Sequence, residues 1–216
     1  MNKPSVRHVT AFALVLAAGA AAVGTAGPAG AVERTAKPRV AGVSGHADIR
    51  LPYHPDADVR SFTFHAQAAP YTRPFTGPGG EPRIPGLPTD AKGTVRISHH
   101  FARTGKTITA DGRVDALVTA PGVVTLTAII TRVDPDGPPW MGRRLGFSVY
   151  DGGPDTPGRS RDRVGFSWDV VSLTVNDRGE AEEVPVGTGL APAPFAPVTK
   201  GGYTVVHADL PPMPPR

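Results

Sequence analysis

The chain contains no cysteine, which excludes disulfide bridges and a cysteine nucleophile. Aromatic residues make up only 6% of its 216 residues, and the formal net charge is a modest +4. Because the basic residues are scattered among acids and form no one-sided stripe, we expect no nucleic-acid partner. Glycine and proline are abundant, at 26 and 25 residues, which argues against long helices.

The first 31 residues have the pattern of a secretory signal peptide. Lys3 and Arg7 precede an uncharged segment whose apolar middle, residues 11–23, is shorter than the roughly 20 residues of a membrane-spanning helix. Ala29 and Ala31 supply a small-x-small cleavage site. An uncleaved anchor is the alternative, which the glycines before the site disfavour. We therefore predict cleavage after Ala31 and a secreted, extracellular protein with no membrane association.

The remaining chain predicts a single β domain over residues 44–216, preceded by a flexible basic leader over residues 32–43. Proline and glycine crowd residues 69–92 and 184–200, so both segments are expected to be irregular surface loops. Residues 174–183 favour a turn over a short helix.

Seven segments carry the alternation of apolar and polar residues that is typical of strands. They are residues 62–68, 95–101, 106–118, 123–133, 145–149, 164–170 and 203–207. Because no helical crossovers separate them, the sequence predicts an all-β fold: one antiparallel β-sandwich or closed β-barrel of about seven to eight strands. The segment 123–133 is apolar on both faces, which indicates a central strand.

One hairpin can be predicted in register. If both apolar sets share a face, Phe147 lies opposite Phe166, Val149 opposite Val164, and Leu145 opposite Trp168. The same register brings two aspartates together at the hairpin mouth, Asp151 and Asp162.

Like charges that face each other on a sheet need compensation. Asp151, Asp155 and Asp162 are weak candidate metal ligands, since three carboxylates can form part of a calcium shell. We expect instead that the arginines of residues 159–163 balance the charge, and that the protein needs no cofactor.

The segment 134–144 is the best candidate for a partner-binding surface. It contains Trp140, Met141, Arg143 and Arg144, residue types that are enriched at interface hot spots. The alternative is that Trp140 folds back to cap an open end of the β core.

Catalytic patterns are weak. No G-x-S-x-G nucleophile motif occurs, and glutamate is scarce, so a glycosidase would depend on aspartates such as Asp115 or Asp169. His99 and His100 are neighbours on a predicted strand, point to opposite faces, and therefore cannot share a metal directly.

Residues 62–170 resemble secreted proteins of high-GC Gram-positive bacteria that carry an uncharacterised β-domain. The similar motifs are Gly93-Thr94-Val95, Gly112-Arg113-Val114-Asp115, Phe147-Ser148-Val149-Tyr150-Asp151 and Asp162-Arg163-Val164. Ala116 departs from the pattern, in which a cysteine is common. The resemblance implies secretion and a compact β fold, and it implies no activity.

Two functions follow as hypotheses. The favoured one is a secreted, non-catalytic module that binds an unknown extracellular protein or a surface polymer. The alternative is an extracellular hydrolase, glycosidase-like or serine-type, which would require an open cleft with converging acids or a histidine–acid pair.

Overall fold

The computed structural model describes residues 39–51, 53–54, 56–76, 83–154, 160–167, 173–175, 178, 180–183, 186–187 and 191–215. The predicted signal peptide, Asp155, Trp168 and Asp169 lie outside the described residues. Twelve strands are present among those residues. They are β1 (Gly42–Ile49), β2 (Val59–Ala68), β3 (Phe75–Thr76), β4 (Arg83–Ile84), β5 (Ala91–His100), β6 (Thr107–Ala120), β7 (Val123–Val133), β8 (Arg144–Tyr150), β9 (Arg163–Phe166), β10 (Leu173–Val175), β11 (Ala181–Glu183) and β12 (Ala196–Val206).

Eight of these strands form a closed antiparallel barrel. Around it they run β1, β2, β5, β6, β7, β8, β9 and β12, and β12 then pairs with β1. The strands therefore follow chain order, as in an up-and-down barrel, apart from two short hairpins, β3–β4 and β10–β11. This arrangement confirms the predicted all-β fold and resolves the choice between sandwich and barrel.

Phenyl rings fill the middle of the barrel. Phe62 and Phe64 point inward from β2, and Phe147 and Phe166 point inward from β8 and β9; all four side chains are fully buried. The ring centroids of Phe62 and Phe166 are 4.7 Å apart, and those of Phe64 and Phe147 are 5.5 Å apart. An eight-stranded barrel is just wide enough for such filling. Side chains therefore occupy the central section of the barrel.

The predicted register of the β8–β9 hairpin is confirmed. Phe147 pairs with Phe166 and Val149 with Val164. The third predicted pair, of Leu145 with Trp168, includes a residue outside the described part of the chain. The turn between β6 and β7 also forms as expected, with Gly122 at a φ of 69° that favours glycine.

Three predicted boundaries are wrong. The expected leader ends in β1, where Val43 is buried, because small residues hide the alternation of this strand. The segment 69–92 contains the β3–β4 hairpin and the first residues of β5. The segment 184–200 ends inside β12, where Pro197 pairs with Arg163 at the short seam that closes the barrel.

Candidate functional site

We call one end of the barrel the mouth: the end where β5 and β7 finish and where β2, β6 and β8 begin. The connections that lie there are residues 50–58, 101–106 and 134–143. Barrel mouths are common places for ligand sites, because loops can add polar groups to an apolar wall. Two features meet at this mouth, a pair of ionic contacts and an apolar pocket.

The first ionic contact buries an arginine inside the mouth. Arg60 follows the same alternation as Phe62 and Phe64, and only 3% of its surface is exposed. Its guanidinium donates two hydrogen bonds to Asp56, at 2.9 and 2.6 Å. These hydrogen bonds lower the pKa of Asp56 to about 2. The charge of Arg60 is therefore balanced within the loop that precedes β2.

The second contact is a histidine–aspartate pair beside Arg60. His99 Nε2 lies 2.8 Å from a carboxylate oxygen of Asp58, and the other carboxylate oxygen accepts a bond of 2.9 Å from the Ala102 amide. The Ala102 amide and His99 lower the pKa of Asp58, whereas burial lowers the pKa of His99. The ring of Phe101 stacks on His99, with centroids 3.9 Å apart. Asp58 thus holds the imidazole ring in a fixed position.

An apolar pocket of about 420 Å³ opens next to this pair. Inward-facing residues of β5 and β6 form one wall, and the β7–β8 connection forms the other. The lining residues are Ile97, His99, Phe101, Ile108, Thr109, Ala110, Pro138, Pro139, Trp140 and Arg143. The volume lies within the roughly 300 to 1,000 Å³ that is typical of small-ligand pockets.

The four residues predicted to bind a partner have different surroundings. Trp140 packs against the core and also lines the pocket, so it combines the two predicted roles. Met141 is 61% exposed beside it, and Arg143 lines the pocket. Arg144 instead donates two hydrogen bonds to Asp115, at 2.9 and 2.6 Å.

Asp115 belongs to a buried ionic cluster on the outer face of the barrel. Its carboxylate is fully buried and also accepts a hydrogen bond of 2.7 Å from Thr127. Arg73 lies 3.7 Å from it and binds Asp90 at 2.8 Å. The cluster therefore fastens the segment 69–90 to the barrel. An acid that two arginines keep ionised is poorly suited to be the proton donor of a glycosidase.

The aspartates of the β8–β9 hairpin are held by backbone amides. Asp162 accepts hydrogen bonds from Gly152 and Tyr203, at 2.8 and 2.7 Å, and Asp151 accepts one of 2.9 Å from Val205. The sequence argument had assigned this compensation to arginines and had not considered amides. Arg163 donates to backbone carbonyl groups before β12. Among the described residues, no group of three or more histidines and acids is placed to hold a metal ion.

Sequence reasoning missed the polar part of the mouth. His99 was treated as an ordinary histidine, and neither Arg60 nor Asp58 was singled out. A signal was available for Arg60, because it continues the inward-facing positions of β2 and so required a buried partner. No local pattern connects Asp58 with His99, which lie 41 positions apart.

The described residues contain no helix that is long and apolar enough to cross a membrane. No protein-family model matches the sequence, and neither a curated protein nor a solved structure matches it. The site must therefore be interpreted from its own geometry.

Proposed function

We propose that this protein is a secreted, non-catalytic binding module whose barrel mouth anchors an apolar group of an extracellular protein or a surface polymer. The observation that carries the proposal is the pocket between β5, β6 and the β7–β8 connection, with the exposed side chain of Met141 beside it. Preformed apolar pockets with a few placed polar groups are the usual form of a binding site.

The barrel provides a rigid frame for this site. Ile97 and Ala110 belong to both the pocket wall and the buried core, so the wall is fixed by the packing of the barrel. Pro138 and Pro139 restrict the backbone of the opposite wall. A rigid site loses little conformational entropy when a partner binds.

Binding of the full-length secreted chain to extracellular proteins and wall polymers of the producing cells tests the proposal. Met141→Ser should weaken retention of the partner at least tenfold, since exposed anchors at the centre of an interface carry much of its energy. Tyr150→Ser is the matched control, because Tyr150 is 37% exposed at the opposite end of the barrel. Equal retention by both variants would place the binding surface elsewhere.

A second candidate is an extracellular hydrolase, favoured by the pair of His99 and Asp58 at the pocket edge. Two contacts argue for a positioning role of this chemistry instead. Asp58 also binds the Ala102 amide, and the hydroxyl of Thr109, which lines the pocket, donates to Asp134. Turnover of nitrophenyl esters or glycosides that disappears in His99→Gln would favour the hydrolase.

A further inference from the structure

Charge is distributed unevenly around the mouth pocket. Its lining includes one guanidinium, that of Arg143, and contains neither aspartate nor glutamate. Every other lining side chain is apolar except His99 and Thr109. A pocket with this lining attracts a ligand that combines an apolar body with an anionic group.

The acids nearest to the pocket in the β7–β8 connection are engaged elsewhere. Asp134 binds Arg132 at 3.0 Å and accepts hydrogen bonds from the amide and hydroxyl of Thr109, at 2.7 and 2.9 Å. Asp136 binds Lys106 at 2.7 Å. These contacts account for the acids of this connection without placing one in the pocket.

The mouth acids on the other side are engaged in the same way. Asp56 is paired with Arg60, and Asp58 is paired with His99 and the Ala102 amide. Their negative charges are thus matched by donors within the barrel mouth. An anionic ligand would not meet an uncompensated carboxylate there.

The shape of the pocket favours a flat ligand. The stacked rings of His99 and Phe101, inclined by 25°, form part of one wall. The indole of Trp140 and the rings of Pro138 and Pro139 contribute the opposite wall. Aromatic rings gain stability in stacked and edge-to-face contacts with such surfaces, beyond the area that they bury.

We infer that the mouth pocket binds a carboxylate attached to a planar apolar ring, with the ring between Trp140 and the His99–Phe101 stack and the carboxylate at Arg143. This inference rests on the proposed function, because it assigns the chemistry of the anchoring group. The group can belong to a free small molecule or to the exposed end of a larger partner.

Calorimetric titration of the full-length secreted chain with three probes tests the inference. The probes are phenylacetate, its neutral analogue phenylacetamide, and hexanoate, which has a linear apolar body. Phenylacetate should bind about tenfold more tightly than phenylacetamide, as expected for one charge-assisted contact. It should also bind more tightly than hexanoate, since a linear chain cannot stack between rings.

Two arginine variants locate the charge. Arg143→Gln should remove the preference for phenylacetate over phenylacetamide, whereas Arg113→Gln should preserve it, because Arg113 is exposed on the outer face of β6. Persistence of the preference in Arg143→Gln would overturn the assignment. The comparison of the two probes with the unmodified protein decides the question even if a variant fails to fold.

The remaining outcomes separate this inference from the proposed function. If phenylacetamide or hexanoate binds as tightly as phenylacetate, the inference fails and the mouth remains an apolar anchoring site. If no probe binds, the inference also fails. The proposed function fails independently when Met141→Ser retains the macromolecular partner as well as the unmodified protein does. Competition by phenylacetate against that partner would assign the ring carboxylate to the partner; binding without competition would assign it to a separate small molecule.

Discussion

Substitution of Asp115 by asparagine should destabilise the barrel strongly, although it changes only one oxygen atom to an amide nitrogen. The carboxylate is fully buried and is held by Thr127, Arg144 and Arg73. Asparagine keeps the shape but removes the charge that two guanidinium groups face. It also presents an NH₂ group to donors.

The magnitude follows from the contacts that are lost. A hydrogen bond between neutral groups contributes about 1 kcal/mol and one to a charged group about 1.5 to 3 kcal/mol. Arg144 and Arg73 are 35% and 37% exposed, so water can solvate them again and reduce the loss. We expect a decrease of about 2 to 4 kcal/mol in the free energy of unfolding, within the range for broken ionic contacts of this kind.

Urea denaturation of Asp115→Asn and of a matched control measures this effect. Asp136→Asn is the control, because Asp136 also binds a basic side chain, Lys106, but is 72% exposed. An exposed pair of this kind contributes less than about 1 kcal/mol. A loss below 1 kcal/mol in both variants would refute the argument that burial makes the Asp115 cluster important.

Three further outcomes are expected. Leu126→Asp, at a side chain that is 1% exposed inside β7, should cost at least about 4 kcal/mol in urea denaturation, whereas Thr125→Asp should cost less than about 1; equal losses would mean that the strand faces are assigned wrongly. Because the pKa of Asp56 is lowered to about 2, its ionised form stabilises the fold above about pH 4, and this contribution should disappear as the pH falls toward 2. Melting temperatures in that range should fall less steeply for Asp56→Asn than for the unmodified protein, and parallel curves would contradict the assignment. Millimolar calcium should leave the melting temperature unchanged relative to excess chelator, since amides already bind Asp151; a calcium-dependent rise that is lost in Asp151→Asn would show a metal site.

The sequence predicted the barrel strands where alternation was strong. The limits of β7 match the predicted 123–133, and the β8–β9 register was predicted from two apolar sets that had to share a face. It failed at β1, whose inward positions include Gly45 and Ala47. Small side chains give little contrast in hydropathy, so the alternation of that strand is visible only once its partners are known.

The candidate site was only half predictable. Trp140 and Arg143 are crowded into one connection of the chain, and their composition indicated a contact surface. The other wall is contributed by strand positions such as His99, whose partner Asp58 comes from a distant loop. Barrel closure brings these groups together, and a single sequence does not encode that proximity in any local spacing.

Amide hydrogen exchange of the full-length protein, with and without the partner retained from the producing cells, tests most directly whether the barrel mouth is the binding site. The account predicts slower exchange in residues 134–144, at the end of β5 and at the start of β6. Unchanged exchange there, with protection confined to the β8–β9 hairpin and the glycines of β12 at the opposite end, would contradict it.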